Sequence, residues 1–265
     1  MEVRGLLLKG RYSDDPNYDL YLEPTLEPKA DKGMMMVMFQ DDCNFRCQYC
    51  FFHKLEWRKA PPTTIAEIIA KIEAKKAEPK GHGSGCDFVL LGGLECTQPQ
   101  HPLIELARAI KAIGVGVHVH TNGSNPAVLE AMFAENLIDF VAMDVKANRK
   151  NYQKITGVPA KIIDIETSIN LIKANAPDYK FRTTVCKELL TQADIVDIGK
   201  WIDGAKKYEI RGFWDSPRGR SYKELTPYSN AEMAALQEVV TGVGVSDISI
   251  DKGTILEGHR GVGSC

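Results

Sequence analysis

Two periods of hydrophobicity alternate along this chain. Short apolar runs such as "GMMMVMFQ" (33–40), "CDFVLLGG" (86–93) and "IDFVAMDVK" (138–146) have the length and flanking residues of buried strands. "VGVHVHTN" (115–122), "YKFRTTVCK" (179–187) and "KYEIRGFW" (207–214) read the same way. The segments between them carry apolar residues at helical spacing. "TTIAEIIAKIEAKKAE" (63–78) sets Ile65, Ile68, Ile69 and Ile72 on one stripe behind a threonine cap. "PLIELARAIKAIG" (102–114) is a helix closed by Gly114, and "PAVLEAMFAEN" (126–136), "IETSINLIKANA" (165–176) and "ADIVDIGKWIDGA" (193–205) complete the set. The pattern predicts six strands with five intervening helices and short connections. Such strict alternation implies a parallel sheet covered by helices, an α/β fold.

No Pro/Gly/Ser-rich linker interrupts residues 33–214, so the chain divides into a core and two extensions rather than separate domains. Residues 1–33 form an irregular N-terminal extension, 34–214 the core, and 215–265 a C-terminal extension. That last part adds a helix, "SNAEMAALQEVV", a short strand, "DISID", and a glycine-rich tail, "EGHRGVGSC". Chemistry-bearing residues gather where the core strands end. Cys43 follows the first, Gly92 and Gly93 end the second, Thr121 to Gly123 follow the third and Lys146 the fourth. Parallel α/β sheets bind ligands at the carboxyl ends of their strands, so these distant segments are expected to converge on one site.

Composition narrows the function classes. With 26% charged residues and a formal net charge of -2, the chain carries no field to steer nucleic acid or an anionic membrane. No stretch is long and apolar enough to span a bilayer, and the opening "MEVRGLLLKG" lacks the core of a signal peptide. Seven cysteines, an odd number in a chain of 265 residues, fit a reducing cytoplasm better than a disulfide framework.

Three of those cysteines, Cys43, Cys47 and Cys50, fall within "DDCNFRCQYCFF" (41–52). A structural zinc site is closed by four ligands, and His53 would be the fourth. A cubane iron–sulfur cluster held by three thiolates keeps one iron free to bind something else. Buried, unliganded thiols are the third reading, and an irregular loop is a poor place for them.

The spacing Cys-x3-Cys-x-aromatic-Cys, carried by Cys43, Cys47, Tyr49 and Cys50, resembles the signature of the radical S-adenosylmethionine (radical SAM) superfamily. The segments 121–158, 168–185 and 193–213 are similar to the activating proteins of anaerobic ribonucleotide reductase, and more broadly to glycyl-radical-enzyme activases. The resemblance covers residues 35–213 and implies a partial (β/α)6 barrel. It implies one [4Fe–4S] cluster on Cys43, Cys47 and Cys50, with S-adenosylmethionine chelating the open iron. Cys86, Cys96, Cys186 and Cys265 are scattered and form no second cluster motif.

The same resemblance assigns cofactor contacts. Gly92 and Gly93 align with a Gly-Gly-Glu segment whose backbone meets the amino group of S-adenosylmethionine. Here Leu94 is inserted before Glu95, and Cys96 stands where proline is usual. Tyr49 is expected near the adenine, and Thr121 and Asn122 beside the cofactor. Asp144, Lys146 and Arg182 are expected at its methionyl end, the alternative being a mutual ion-pair network. His120 replaces an aspartate that helps hold a monovalent cation in related activases, so an imidazolium in that place is one expectation and a neutral core histidine the other. Trp214 stands near where some activases carry a histidine. The implied activity is reductive cleavage of S-adenosylmethionine, fed by a flavodoxin- or ferredoxin-like donor, to make a glycyl radical on a partner enzyme such as anaerobic ribonucleotide reductase. A peptide or small-molecule substrate is the enzymatic alternative; a zinc- or cluster-binding protein without catalysis is the other. The tail ending in Cys265 is expected to close over the mouth of the partial barrel.

Overall fold

A computed structural model describes residues 2–3, 7–10, 33–39, 43–50, 63–78, 85–213 and 225–251. His53, Trp214 and the tail from 252 to 265 lie outside the described residues. In chain order the strands are β1 (Glu2–Val3), β2 (Leu7–Gly10), β3 (Met34–Phe39), β4 (Thr63–Thr64), β5 (Phe88–Gly93), β6 (Gly116–Thr121), β7 (Phe140–Asp144), β8 (Asp178–Val185), β9 (Lys207–Gly212) and β10 (Asp247–Asp251). The helices are α1 (Ile65–Lys76), α2 (Leu103–Ala112), α3 (Pro126–Ala134), α4 (Tyr152–Thr156), α5 (Ile162–Asn175), α6 (Gln192–Trp201) and α7 (Asn230–Val240).

Among the described residues one sheet runs in the order β10-β9-β8-β7-β6-β5-β3-β2. Every pairing in it is parallel except β2 with β3. The six strands expected from the apolar runs are β3 and β5 to β9, in sequence order across the sheet, and this is an unclosed α/β partial barrel. β2 adds an antiparallel strand at one edge, and "DISID" becomes β10, a further parallel strand at the other. A separate antiparallel pair joins β1 to β4. Neither β1, β2, β4 nor the short helix α4 was legible as an element, because runs this short carry no period.

Local chemistry sets the helix ends. Thr64 caps α1 in a capping box, its hydroxyl accepting from Glu67 N while the Glu67 carboxylate accepts from Thr64 N at 2.7 Å. Thr191 with Asp194 and Ser229 with Glu232 repeat the device on α6 and α7. Alternation along the strands then separates two faces. Val37, Phe39, Val89, Leu91, Val117, Val119, Val141 and Phe181 pack with the buried faces of the helices in one core. Met34, Met36, Met38, Phe88 and Leu90 form a second cluster on the opposite, inner face. No helix among the described residues is long and apolar enough to cross a membrane.

Candidate functional site

Beyond β3 the chain enters the loop 43–50 that carries the three cysteines. The loop has little regular structure of its own, so its shape comes from a neighbour. Arg46 N donates to Thr156 O at 2.7 Å, Gln48 N to Ile155 O at 3.4 Å and Gln48 Nε2 to Lys154 O at 3.0 Å. These acceptors are the last carbonyls of α4, which a helix leaves unsatisfied. Gly157 closes α4 at φ 69°, and a Cβ there would stand 2.6 Å from Arg46 O. Glycine is therefore needed for both the left-handed turn and the close approach. Within the loop, Cys50 N donates to Cys47 O at 3.0 Å, and the Phe45 ring meets Tyr152 edge-on at 6.3 Å.

Cys43, Cys47 and Cys50 are all reduced thiols, outside any disulfide. Burial, reinforced by the Glu95 charge, pushes the Cys43 thiol up to about 12. Burial likewise pushes Cys47 up to about 11. Both keep their protons until an electropositive centre takes the thiolates, so metal loading would release protons. Among the described residues, no three His, Cys, Asp or Glu side chains already point at a common centre. The donor set itself fits a cluster: three reduced thiols on one short loop at the carboxyl edge of a parallel sheet.

Across from the loop, the ends of β7 and β8 supply charge. Asp144 takes Lys146 Nζ on Oδ2 and Arg182 Nε on Oδ1, each at 2.7 Å. Burial alone would raise the Asp144 carboxyl, but Arg182 and Lys146 hold it well below the usual carboxylate range, with Arg211 contributing from further off. The ion-pair network weighed above is thus present, and it reaches the loop: Lys146 Nζ lies 5.8 Å from the Tyr49 ring centre. The Tyr49 hydroxyl is buried with no hydrogen-bond partner among the described residues. A polar ligand beside it would satisfy an otherwise costly group.

His120 faces the same inner space. Arg182 Nη1 stands 3.3 Å from His120 Nδ1. The Arg182 guanidinium thus stands between the Asp144 carboxylate and the His120 ring.

Gly93 is forced by its surroundings: φ is 106°, and a Cβ would lie 2.6 Å from Phe39 O. At Gly92 a Cβ would press on His120 Cβ at 3.2 Å, so the main chain stands open toward the inner face only because no side chain is there. Glu95, fully buried, ties two strand ends together. Its Oε1 accepts from Thr97 N, Thr97 Oγ1 and Thr121 Oγ1 at 3.1, 2.6 and 2.7 Å, and its Oε2 from Asn122 N at 2.7 Å. Burial still raises its carboxyl. Asn122 in turn donates to Asn44 Oδ1 at 3.0 Å and approaches Cys43 Sγ at 3.9 Å. Glu95, Thr121 and Asn122 therefore brace the cysteine loop. Cys96 donates its thiol to His120 O at 3.2 Å.

Four inner-face residues escaped the sequence reading. Lys180 and Glu209 pair at 2.5 Å, and Arg211 Nε lies 3.3 Å from both Glu209 Oε1 and Asp251 Oδ2. A signal was available: Lys180/Arg182 and Glu209/Arg211 each sit two apart and alternate with the buried Tyr179/Phe181 and Tyr208/Ile210, so one face of each strand is charged.

Comparison with known proteins agrees with this geometry. The family model described as "Radical SAM superfamily" matches residues 37–202. The chain belongs to the radical SAM superfamily, and it is a radical SAM enzyme. A protein of Methanocaldococcus jannaschii named as a glycyl-radical enzyme activating enzyme is 31% identical over 189 residues, covering 69% of this chain and 74% of that protein. A second protein of that organism with the same kind of name is 28% identical, covering 72% and 68%. In fold the chain resembles Streptococcus suis SuiB bound to the precursor peptide SuiA, with a TM-score of 0.64 and 12% identity. That match covers 83% of this chain but only about half, 49%, of SuiB. The family implies S-adenosylmethionine and a [4Fe–4S] cluster.

Proposed function

We propose that this enzyme installs a glycyl radical on a partner enzyme, with anaerobic ribonucleotide reductase the first candidate. The observation that carries the reading is one shared edge. The cysteine loop, the open backbone at Gly92 and Gly93, Tyr49, and the Lys146–Asp144–Arg182 network all meet at the carboxyl ends of β3 to β8. The names of the Methanocaldococcus jannaschii relatives support the glycyl radical part.

Cys43, Cys47 and Cys50 would hold a [4Fe–4S] cluster by three irons, leaving the fourth for the amino and carboxylate groups of S-adenosylmethionine. Bound together, cluster and cofactor supply a 5′-deoxyadenosyl radical, at the cost of one electron from a flavodoxin- or ferredoxin-like donor. The protein does the rest by placement. Gly92 and Gly93 let main chain approach the amino group, and Lys146 offers an ammonium to the carboxylate. Tyr49 lies along the adenine side, while Glu95, Thr121 and Asn122 keep the cysteine loop in register with β5 and β6. Arg182 supplies the positive charge that a bound monovalent cation would otherwise bring, with His120 beside it. A reducing cytoplasm keeps the three thiols available.

Metal analysis of anaerobically reconstituted protein tests the foundation. We expect about four irons and about four acid-labile sulfides per chain. Alanine at any one of Cys43, Cys47 or Cys50 should remove both these and S-adenosylmethionine cleavage. Alanine at the buried Cys86 or Cys186 should leave iron and sulfide in place. Zinc without sulfide would overturn the reading.

A further inference from the structure

The outer side of the cysteine loop has a chemistry of its own. We propose that this side, made by residues 43–50, α4 and the start of α5, is the docking surface for an acidic one-electron carrier protein. This rests on the reading above that an external donor serves the enzyme. In one encounter the carrier is oxidised by one electron and the cluster on Cys43, Cys47 and Cys50 is reduced by one, with no bond made or broken.

Charge is the first observation. Neither the loop 43–50 nor the segment 145–163 contains an Asp or Glu, yet together they carry six cations. The whole chain has a formal net charge of -2, so this excess is local. Lys146 turns inward to Asp144, and Arg149 is met by Glu166. Lys150, Lys154 and Lys161 are exposed and meet no carboxylate among the described residues. Exposed cations on other surfaces are matched, Arg108 by Glu135 and Lys187 by Glu232. A basic surface without carboxylates repels a basic partner and speeds encounter with an acidic one.

Position is the second. Along the loop, Asn44, Arg46 and Gln48 are exposed, whereas Cys43, Phe45 and Tyr49 are buried. Tyr49 faces Lys146 on the cofactor side. The outer side is bonded to α4, through Arg46 N to Thr156 O and Gln48 Nε2 to Lys154 O. Gly157 lies against Arg46, and Lys161, four residues on, is within about 14 Å of that contact by chain length alone. Electron transfer weakens steeply with distance, so a donor has to land close to the loop. The inner approach is needed for cofactor and substrate. The outer side offers a short approach that blocks neither.

Ile163 is the third. It is 66% exposed, the one large apolar side chain left in solvent among the described residues, and it lies two residues beyond Lys161. A lone exposed isoleucine is ordinary by itself. Set in a basic surface, it matches the make-up of a docking face, an apolar contact rimmed by charge.

Stopped-flow and calorimetric titration of the anaerobically reconstituted enzyme test the proposal. The probes are an acidic flavodoxin and an acidic ferredoxin, both oxidised. At low salt the unaltered protein should bind at least one of them. Lys150→Glu with Lys161→Glu should slow association about tenfold or more, and the loss should shrink as salt rises. Lys150→Gln with Lys161→Gln should slow it about threefold, and this pair decides if the reversed one does not fold. Ile163→Ser should instead speed dissociation about threefold, at low and high salt alike. Lys206→Glu, at an exposed lysine just ahead of β9, should titrate like the unaltered protein. Flat titrations with both carriers overturn the proposal, and so does an equal loss in Lys206→Glu. Formation of 5′-deoxyadenosine driven by reduced methyl viologen, a small donor that needs no docking, is read separately. Its absence in the unaltered enzyme would count against the radical chemistry, whatever the titrations show.

Discussion

The inner face of the sheet is built on opposite principles at its two sides. On β3 and β5 it is apolar, with Met34, Met36, Met38, Phe88 and Leu90 packed on one another. On β7 to β10 it is ionic, with Asp144, Arg182, Lys180, Glu209, Arg211 and Asp251 joined in pairs. His118 marks the seam, stacked on Phe88 at 4.0 Å and tilted against Phe140 at 5.1 Å. Methionine fills irregular space without a directional demand, so the first side tolerates exchange. A buried charge needs its opposite charges in place, so the second side does not.

Several changes would break or sharpen that contrast. The largest effect is expected at Arg182, whose side chain is 3% exposed. Arg182→Met should cost about 3 kcal/mol in a denaturant titration, because it leaves the Asp144 carboxylate with Lys146 alone and Oδ1 without its guanidinium. Adding Asp144→Asn should recover part of that loss, and strict additivity would show that the two do not act as a pair. The sign of the pH effect follows. Asp144 is held below its ordinary value, so the pair stabilises the fold fully above the normal carboxylate range. That contribution disappears as the pH falls toward the depressed value, and Arg182→Met should move acid unfolding to higher pH.

Gly93→Ala comes next. The new Cβ would stand 2.6 Å from Phe39 O at a positive φ, a cost of about 2 kcal/mol or more in thermal unfolding. Glu95→Gln should follow at about 1–3 kcal/mol, since an amide nitrogen cannot accept from the donors on both carboxylate oxygens. Met36→Leu, on the apolar side, should cost less than about 1.5 kcal/mol. A loss there as large as that of Arg182→Met would erase the distinction between the two sides.

Much of this was legible in the residues. The strand β10 and the helix α7 were read with nearly their observed bounds, because "DISID" and "SNAEMAALQEVV" follow clear strand and helix patterns. The cysteine motif was read from its spacing, and Gly92 and Gly93 from their place at a strand end together with the family resemblance. Glu95 was named as a cofactor contact, whereas its described hydrogen bonds all go to Thr97, Thr121 and Asn122. Arg211 and Asp251 went unnoticed, since charged residues that alternate with apolar ones, as in "KYEIRG" and "DISID", have the same pattern as a solvated strand face.

By itself the sequence determined the order of strands and helices, the capping of α1, and three thiols on one loop after β3, since each depends on neighbours within a few residues. Only the tertiary structure decided that β2 and β10 extend the sheet, that α4 holds the cysteine loop, and that Arg182 stands against both Asp144 and His120. Those outcomes depend on strand register and on contacts between residues far apart in the chain, such as Arg211 and Asp251 or Arg182 and His120. Local periodicity fixes which face a side chain takes, but the partner across the sheet follows from how neighbouring strands align.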